Sequence, residues 1–233
     1  MDEQIKETLE EFRGSFSYGS RNDLLFKFLG SRGMSDQDAG EFFRGLLEHL
    51  GNAFDSGDYD KVLEHCFQWQ VHGYTPQEGT KAAFEYDSTP WAPLTRPLSE
   101  SRIALISAGG LFVDGDDPMG ANGPTQEEAI PRIQEFLREL PVLSVIPRDI
   151  ERERLRVRHP GYDIRGTLAD YNVVFPIDRL KEFETEGVLG ELAEENYSFV
   201  GASSQKRLLA EAAPEWAKQL NEKHVDAVML VGA

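Results

Sequence analysis

From Arg102 onward the chain alternates short β-branched or aromatic runs with amphipathic stretches, the pattern expected of a layered α/β sheet. Five strands are expected, at Ile103–Ser107, Leu143–Ile146, Asn172–Phe175, Tyr197–Val200 and Ala227–Val231. Between them, residues 125–140, 177–186 and 205–223 carry apolar side chains at helical spacing. Pro131 fits the first turns of its helix, whereas Pro214 is expected to kink or split the last one. Apolar strands joined by helices predict a mostly parallel, doubly wound, flavodoxin-like sheet covered on both faces. Ligands of such sheets sit beyond the carboxyl ends of the strands, so the segments after Ser107, Phe175, Val200 and Val231 are the places to look.

The preceding residues follow a different period. Leu24, Leu25, Phe28 and Leu29 form one helical stripe, and Ser35 opens a second helix with N-cap chemistry. That helix carries Phe42, Phe43, Leu46, Leu47 and Leu50 and is expected to end at Gly51, with a third over 58–72. Pro76, Pro90, Pro93 and Pro97 then oppose regular structure. The expected organisation is a helical amino-terminal lobe over 1–75, a proline-rich linker over 76–101 and an α/β core over 102–233.

Charge narrows the partners. With 24 Lys+Arg against 41 Asp+Glu, the net charge of -17 argues against nucleic acid and against anionic membrane surfaces. The 40% hydrophobic content supports a folded core rather than disorder. The lone Cys66 excludes an intramolecular disulfide and a multi-cysteine metal cluster, which favours a reducing compartment. The amino terminus is charged and no apolar run reaches the length of a membrane span, so the expected location is the cytoplasm.

Three segments carry candidate chemistry. Gly109 and Gly110 follow the first strand, where backbone amides either cradle an anion or simply form a tight turn. Their spacing is not that of a dinucleotide fingerprint. Asp114, Asp116 and Asp117 resemble part of a calcium loop but lack its later bidentate Glu, and Asp-Pro equally caps a turn. His159, Tyr162 and Asp163 stand in a Pro/Gly loop; the His suits acid/base work with the carboxylate fixing its tautomer, or the loop merely braces the sheet. Cys66, flanked by His65 and His72, reads as a packed thiol rather than a zinc ligand. No metal and no cofactor is assigned.

The ordered set Ala104-Leu-Ile-Ser-Ala-Gly-Gly110, Gly115-Asp-Asp-Pro118, His159-Pro-Gly-Tyr-Asp163 and Asn172-Val-Val-Phe-Pro-Ile-Asp-Arg-Leu180 resembles the selenoprotein B subunits of glycine, sarcosine, betaine and D-proline reductases. The resemblance continues through Glu186-Gly-Val-Leu-Gly190, Tyr197-Ser-Phe-Val-Gly201, Pro214-Glu-Trp-Ala217 and 225–231, covering about residues 85 to 233. It implies selenol- or thiol-dependent reduction of a small amine- or acid-bearing molecule, with a thiol redox protein as a possible regenerating partner. It also implies a homo-oligomer or a subunit of a reductase complex. The family's selenocysteine or cysteine lies just past the strand similar to Ala227–Val231, here just after Ala233, so the core is expected to be incomplete at its carboxyl end through a selenocysteine codon read as stop or a truncation. Carried over by position, His159 and Asp163 would be catalytic, and Gly109, Gly110, Asp116, Asp117 and Tyr162 would contact the ligand. The alternative is a non-catalytic small-molecule-binding or assembly subunit.

Overall fold

The computed structural model describes residues 7–18, 21, 25–31, 33–76, 78–80 and 92–233. Leu24 and Pro90 therefore lie outside the described residues. The chain divides into two compact units, residues 1–89 and 90–233.

The first unit contains α1 (Leu9–Tyr18), a 3₁₀ turn at Lys27–Gly30, α2 (Asp36–Ser56) and α3 (Asp60–Tyr74). Ser35 caps α2 in a reciprocal box with Asp38. The helix does not stop at Gly51; a mid-helix glycine costs only about 1 kcal/mol, and burial of Ala53 carries the helix on to Ser56. It ends where Gly57 takes a φ of 75°, a conformation that favours glycine. Phe28, Leu29, Phe42, Leu46 and Cys66 form the core, and burial pushes the Cys66 thiol up. His49 sits inside α2 with its ring 5.1 Å from that of His65.

The second unit is built on β1 (Arg102–Ser107), with β2 (Leu111–Val113), β3 (Ser144–Pro147), β4 (Leu155–Val157), β5 (Glu191–Leu192), β6 (Glu195–Ser198) and β7 (Ala227–Val231) following. One edge of β1 pairs in parallel with β7 from Ile103↔Ala227 to Ser107↔Val231. Its other edge pairs in parallel with β5 at Ile103↔Leu192 and with β6 at Ile106↔Tyr197. The backbone N–H of Leu105 falls between those two strands and donates to Oδ1 of the fully buried Asn196, at 2.9 Å. β3 joins β6 antiparallel, and β2 with β4 forms a separate antiparallel ribbon.

The protein is thus α/β with a mixed sheet that is parallel at every pairing of β1, and the flavodoxin-like, doubly wound expectation is met only in part. Two differences account for this. β3 runs against its neighbour, and Asn172–Phe175 is not a strand. Residues Tyr171–Val173 form a 3₁₀ turn because Asp170 accepts the Asn172 amide, while the Asn172 side chain donates to both Asp170 and Asp178. Val174 and Phe175 are buried core residues all the same. The ribbon strands β2 and β4, three residues each, were too short to stand out by periodicity.

Pro131 introduces a 3₁₀ turn between two short helices, Gln126–Ala129 and Ile133–Phe136. Pro214 lies at the start of the helix Ala213–Glu222, and the turn just before it, Leu208–Ala212, is a π-helix. The missing N–H at Pro214 breaks the ladder there, and the extra residue absorbs the break. The alternation of β1 then builds two layers. Ile103 and Leu105 pack with Ile146, Phe175 and Leu192, while Ala104 and Ile106 pack with Tyr197 and Leu220. No helix among the described residues is long and apolar enough to cross a membrane.

Candidate functional site

The carboxyl ends of β1, β6 and β7 meet at Ala108. Its N–H donates to Val231 O at 2.8 Å, and its carbonyl accepts from Gly201 N at 2.9 Å. Ser107 and Ser198 tie the same level together: Ser198 Oγ donates to Ser107 O and accepts from Leu111 N, both at 3.0 Å.

Gly109 and Gly110 turn the chain out of β1, but they do not present free amides. Gly109 N donates to Ser107 Oγ at 3.0 Å, and Gly110 N donates to Phe199 O at 2.9 Å. The anion-cradle expectation is corrected on this point, because both donors are consumed by the protein itself. The glycines are required by packing instead. Gly110 has a φ of 72°, and a Cβ there would lie 2.3 Å from Arg158 O.

The loop 159–163 closes over this turn. Tyr162 Oη donates to Gly109 O at 2.9 Å and lies 3.0 Å from Thr167 Oγ1. Burial pushes its phenol up, partly offset by Thr167. Removing that hydroxyl with Tyr162→Phe is expected to cost about 1 kcal/mol in urea unfolding, and an unchanged midpoint would show that the brace carries no energy.

His159 is buried, with its ring 4.6 Å from that of Tyr162. Gly161 N donates to its Nδ1 at 3.0 Å, and Ala202 N approaches its Nε2 at 3.3 Å. Asp163 points to a different partner from the one expected. Its carboxylate is paired with Arg165, whose hydrogen bonds hold it below the usual carboxylate range. Both ring nitrogens of His159 thus face backbone amides, while Asp163 is engaged by Arg165.

The acidic loop is likewise claimed by arginines. Arg156 pairs with Asp114 at 2.9 Å, and Arg158 grips Asp117 through two bonds of 2.6 and 2.7 Å. Burial alone would raise the Asp117 carboxyl, but hydrogen bonds from Arg158 and from the Met119 amide, together with the Arg158 charge, outweigh it and hold it low. Asp116 stays exposed at the turn. No group of three or more His, Cys, Asp or Glu among the described residues is placed to hold a metal ion.

Arg158 and Gln126 are the residues that the sequence reading missed. Arg158 completes the alternation Arg154, Arg156, Arg158, whose period of two matches β4 facing the acids beyond β2, and that alternation was the available signal. Gln126 clasps the His159 backbone from both sides, and nothing in its sequence context announces it.

A polar groove of about 690 Å³ lies at the opposite, amino end of β1, lined by Arg96, Arg102, Glu191, His224 and Asp226 among others. Two charge pairs cross it, Arg96 with Asp226 at 3.5 Å and Arg102 with Glu191 at 2.9 Å.

Residues 81–233 match the family model described as glycine/sarcosine/betaine reductase selenoprotein B. The chain is 33% identical over 141 residues to D-proline reductase subunit gamma of Acetoanaerobium sticklandii, covering 60% of this chain and 52% of that one. It is 30% identical over 145 residues to glycine reductase complex component B subunit gamma of Symbiobacterium thermophilum, covering 62% and 31%. It is 29% identical over 140 residues to betaine reductase complex component B subunit beta of Peptoclostridium acidaminophilum, covering 60% and 29%. The matched stretch is thus about half or less of these relatives' length. No solved structure matches significantly.

Proposed function

The chain belongs to the glycine/sarcosine/betaine reductase selenoprotein B family, and on that premise we propose that it is a reductase subunit acting on a small amine- or acid-bearing molecule at the carboxyl ends of β1, β6 and β7. The observation that carries this reading is the convergence at Ala108. There the last residue of β7 is bonded directly to the turn that the loop 159–163 covers. In the reading proposed here a selenol or thiol follows β7, just beyond Ala233. A chalcogenolate at that point would emerge beside Gly109, Tyr162 and Gly201, at a strand end where nucleophiles are commonly displayed.

The fixed backbone around Gly109 and Gly110 then serves as a wall that orients the substrate, and Asp116, the exposed acid of the neighbouring loop, is the group left to meet a cationic amine. Asp117 and Asp163, each held by an arginine, shape the rim rather than react. A thiol redox protein in the cytoplasm would return the chalcogen to its reduced form. Complex membership follows the relatives, which are named as components or subunits of reductases.

The test uses the protein expressed from its own gene, combined with the other reductase components and a dithiol. Substrate-dependent consumption of glycine, sarcosine, betaine or D-proline is expected, together with its loss on alkylation of a residue just past β7. Turnover that survives while no alkylatable residue follows β7 would overturn the placement of the nucleophile, and absence of turnover with all four would overturn the substrate class.

A further inference from the structure

The helical unit lies almost wholly before the residues matched to the family, which begin at 81. One side of its α3 carries an apolar row. Tyr59, Leu63, Phe67 and Val71 recur at every fourth residue along α3 and its N-cap, and they are 47%, 58%, 60% and 49% exposed. Single exposed apolar side chains are ordinary on a protein surface, but four in one row make a patch.

The row is not the face by which α3 packs into its own unit. α3 buries Cys66 and Gly73, stacks His65 on Phe42 of α2, and accepts a bond from Ser31 Oγ at Gly73 O, 2.7 Å long. At 3.6 residues per turn, Phe67 stands about 160° around the helix axis from His65. α2 and the apolar row therefore lie on opposite flanks of α3.

We propose that this row is a self-association face, on which a second copy of the chain docks through its own α3. Residues at i, i+4 and i+8 form an i±4n ridge, and two such ridges interlock at a crossing angle of about −50°. A two-fold contact requires the same self-complementary surface from both copies, and a ridge of this class meets that requirement. With the stems of the flanking polar side chains, the ridge offers on the order of 500 Å² per copy, so a pair buries about 1,000 Å², the lower limit of a specific interface. That area suits a reversible dimer of micromolar strength rather than an obligate one. Charge is also accommodated. In an antiparallel crossing centred on Phe67, Leu63 of one copy meets Val71 of the other. Asp60 and Glu64 then face residues 68–74 of the other copy, none of which is an acid. The face is independent of the reductase reading.

The experiment is sedimentation equilibrium on the intact chain from about 1 to about 100 µM. The mass is expected to rise from monomer to dimer across that range. Added salt should strengthen the association, because it screens the repulsion between two chains of charge -17. Phe67→Glu sets two carboxylates against each other at the two-fold and should weaken association about tenfold or more. Leu47→Glu, on α2 at a position 68% exposed, should leave it unchanged. Leu63→Cys mixed with Val71→Cys should form a disulfide-linked heterodimer in air, which neither variant forms alone. A monomer at every concentration and salt would overturn the face and leave the row to the rest of the chain or to another protein. Association that Phe67→Glu leaves intact, or that both glutamate variants weaken equally, would also overturn it. If Phe67→Glu does not fold, the cysteine pair decides: links formed as readily by either variant alone as by the mixture would contradict the antiparallel pairing.

Discussion

Gly110→Ala is expected to destabilise the α/β unit by about 3 kcal/mol or more, the range of a strained backbone combined with a steric clash. Two costs coincide at this position. The φ of 72° disfavours any residue with a Cβ, and the added atom would meet Arg158 O, a backbone atom that cannot rotate away. Moving Arg158 would also disturb its N–H bond to Gly110 O at 3.0 Å and its grip on Asp117. Gly115→Ala supplies the control, because its φ is 87° but nothing lies within 4 Å of the new Cβ. It should lose only about 1 kcal/mol. Urea unfolding with an unchanged slope reads both, and equal losses for the two variants would show that the Arg158 contact is not what requires glycine.

Arg158→Met has the second large effect, about 3–5 kcal/mol, the cost of removing one partner of a buried ion pair. The arginine side chain is 4% exposed and the Asp117 side chain 19%, so the stranded carboxylate remains poorly solvated. The pair also sets a pH dependence. The folded-state value of Asp117 is lowered, so its contribution is present above the unfolded carboxylate value of about 3.9 and is lost as pH falls through the lower folded value. The native protein should lose this component below about pH 4. In Arg158→Met, where only the Met119 amide still lowers the carboxyl against burial, that acid-side loss should shrink, and an identical acid limb in both proteins would contradict the assignment.

What the sequence made legible follows from how locally each feature is determined. β1 and β7 are continuous aliphatic runs that pair with each other over their length, so periodicity alone locates them. Ser35 announces the start of α2 because its capping partner Asp38 is three residues away. Asn172–Phe175 misleads for the opposite reason: its composition is that of a strand, but Asp170 and Asp178 capture Asn172 through side-chain bonds. At the site, Tyr162 reaches the turn glycines through the carbonyl of Gly109. The partners of Asp117 and Asp163 did not emerge, because Arg158 lies 41 positions from Asp117, and Arg165 competes for Asp163 from two positions away. The occupied amides of Gly109 and Gly110 were equally hidden, since their acceptors are Ser107 Oγ and the carbonyl of Phe199.

The groove at the amino end of β1 gives the account a rival location within the same unit. The measurement that separates the two most directly is amide chemical-shift mapping of the protein during titration with glycine, sarcosine, betaine and D-proline. A ligand bound at the carboxyl ends should move the resonances of Ala108–Gly110, Tyr162–Asp163 and Gly201–Ala202, leaving Arg102, Glu191 and Asp226 unshifted. Shifts confined to Arg102, Glu191 and Asp226, or no shifts with any of the four, would contradict it.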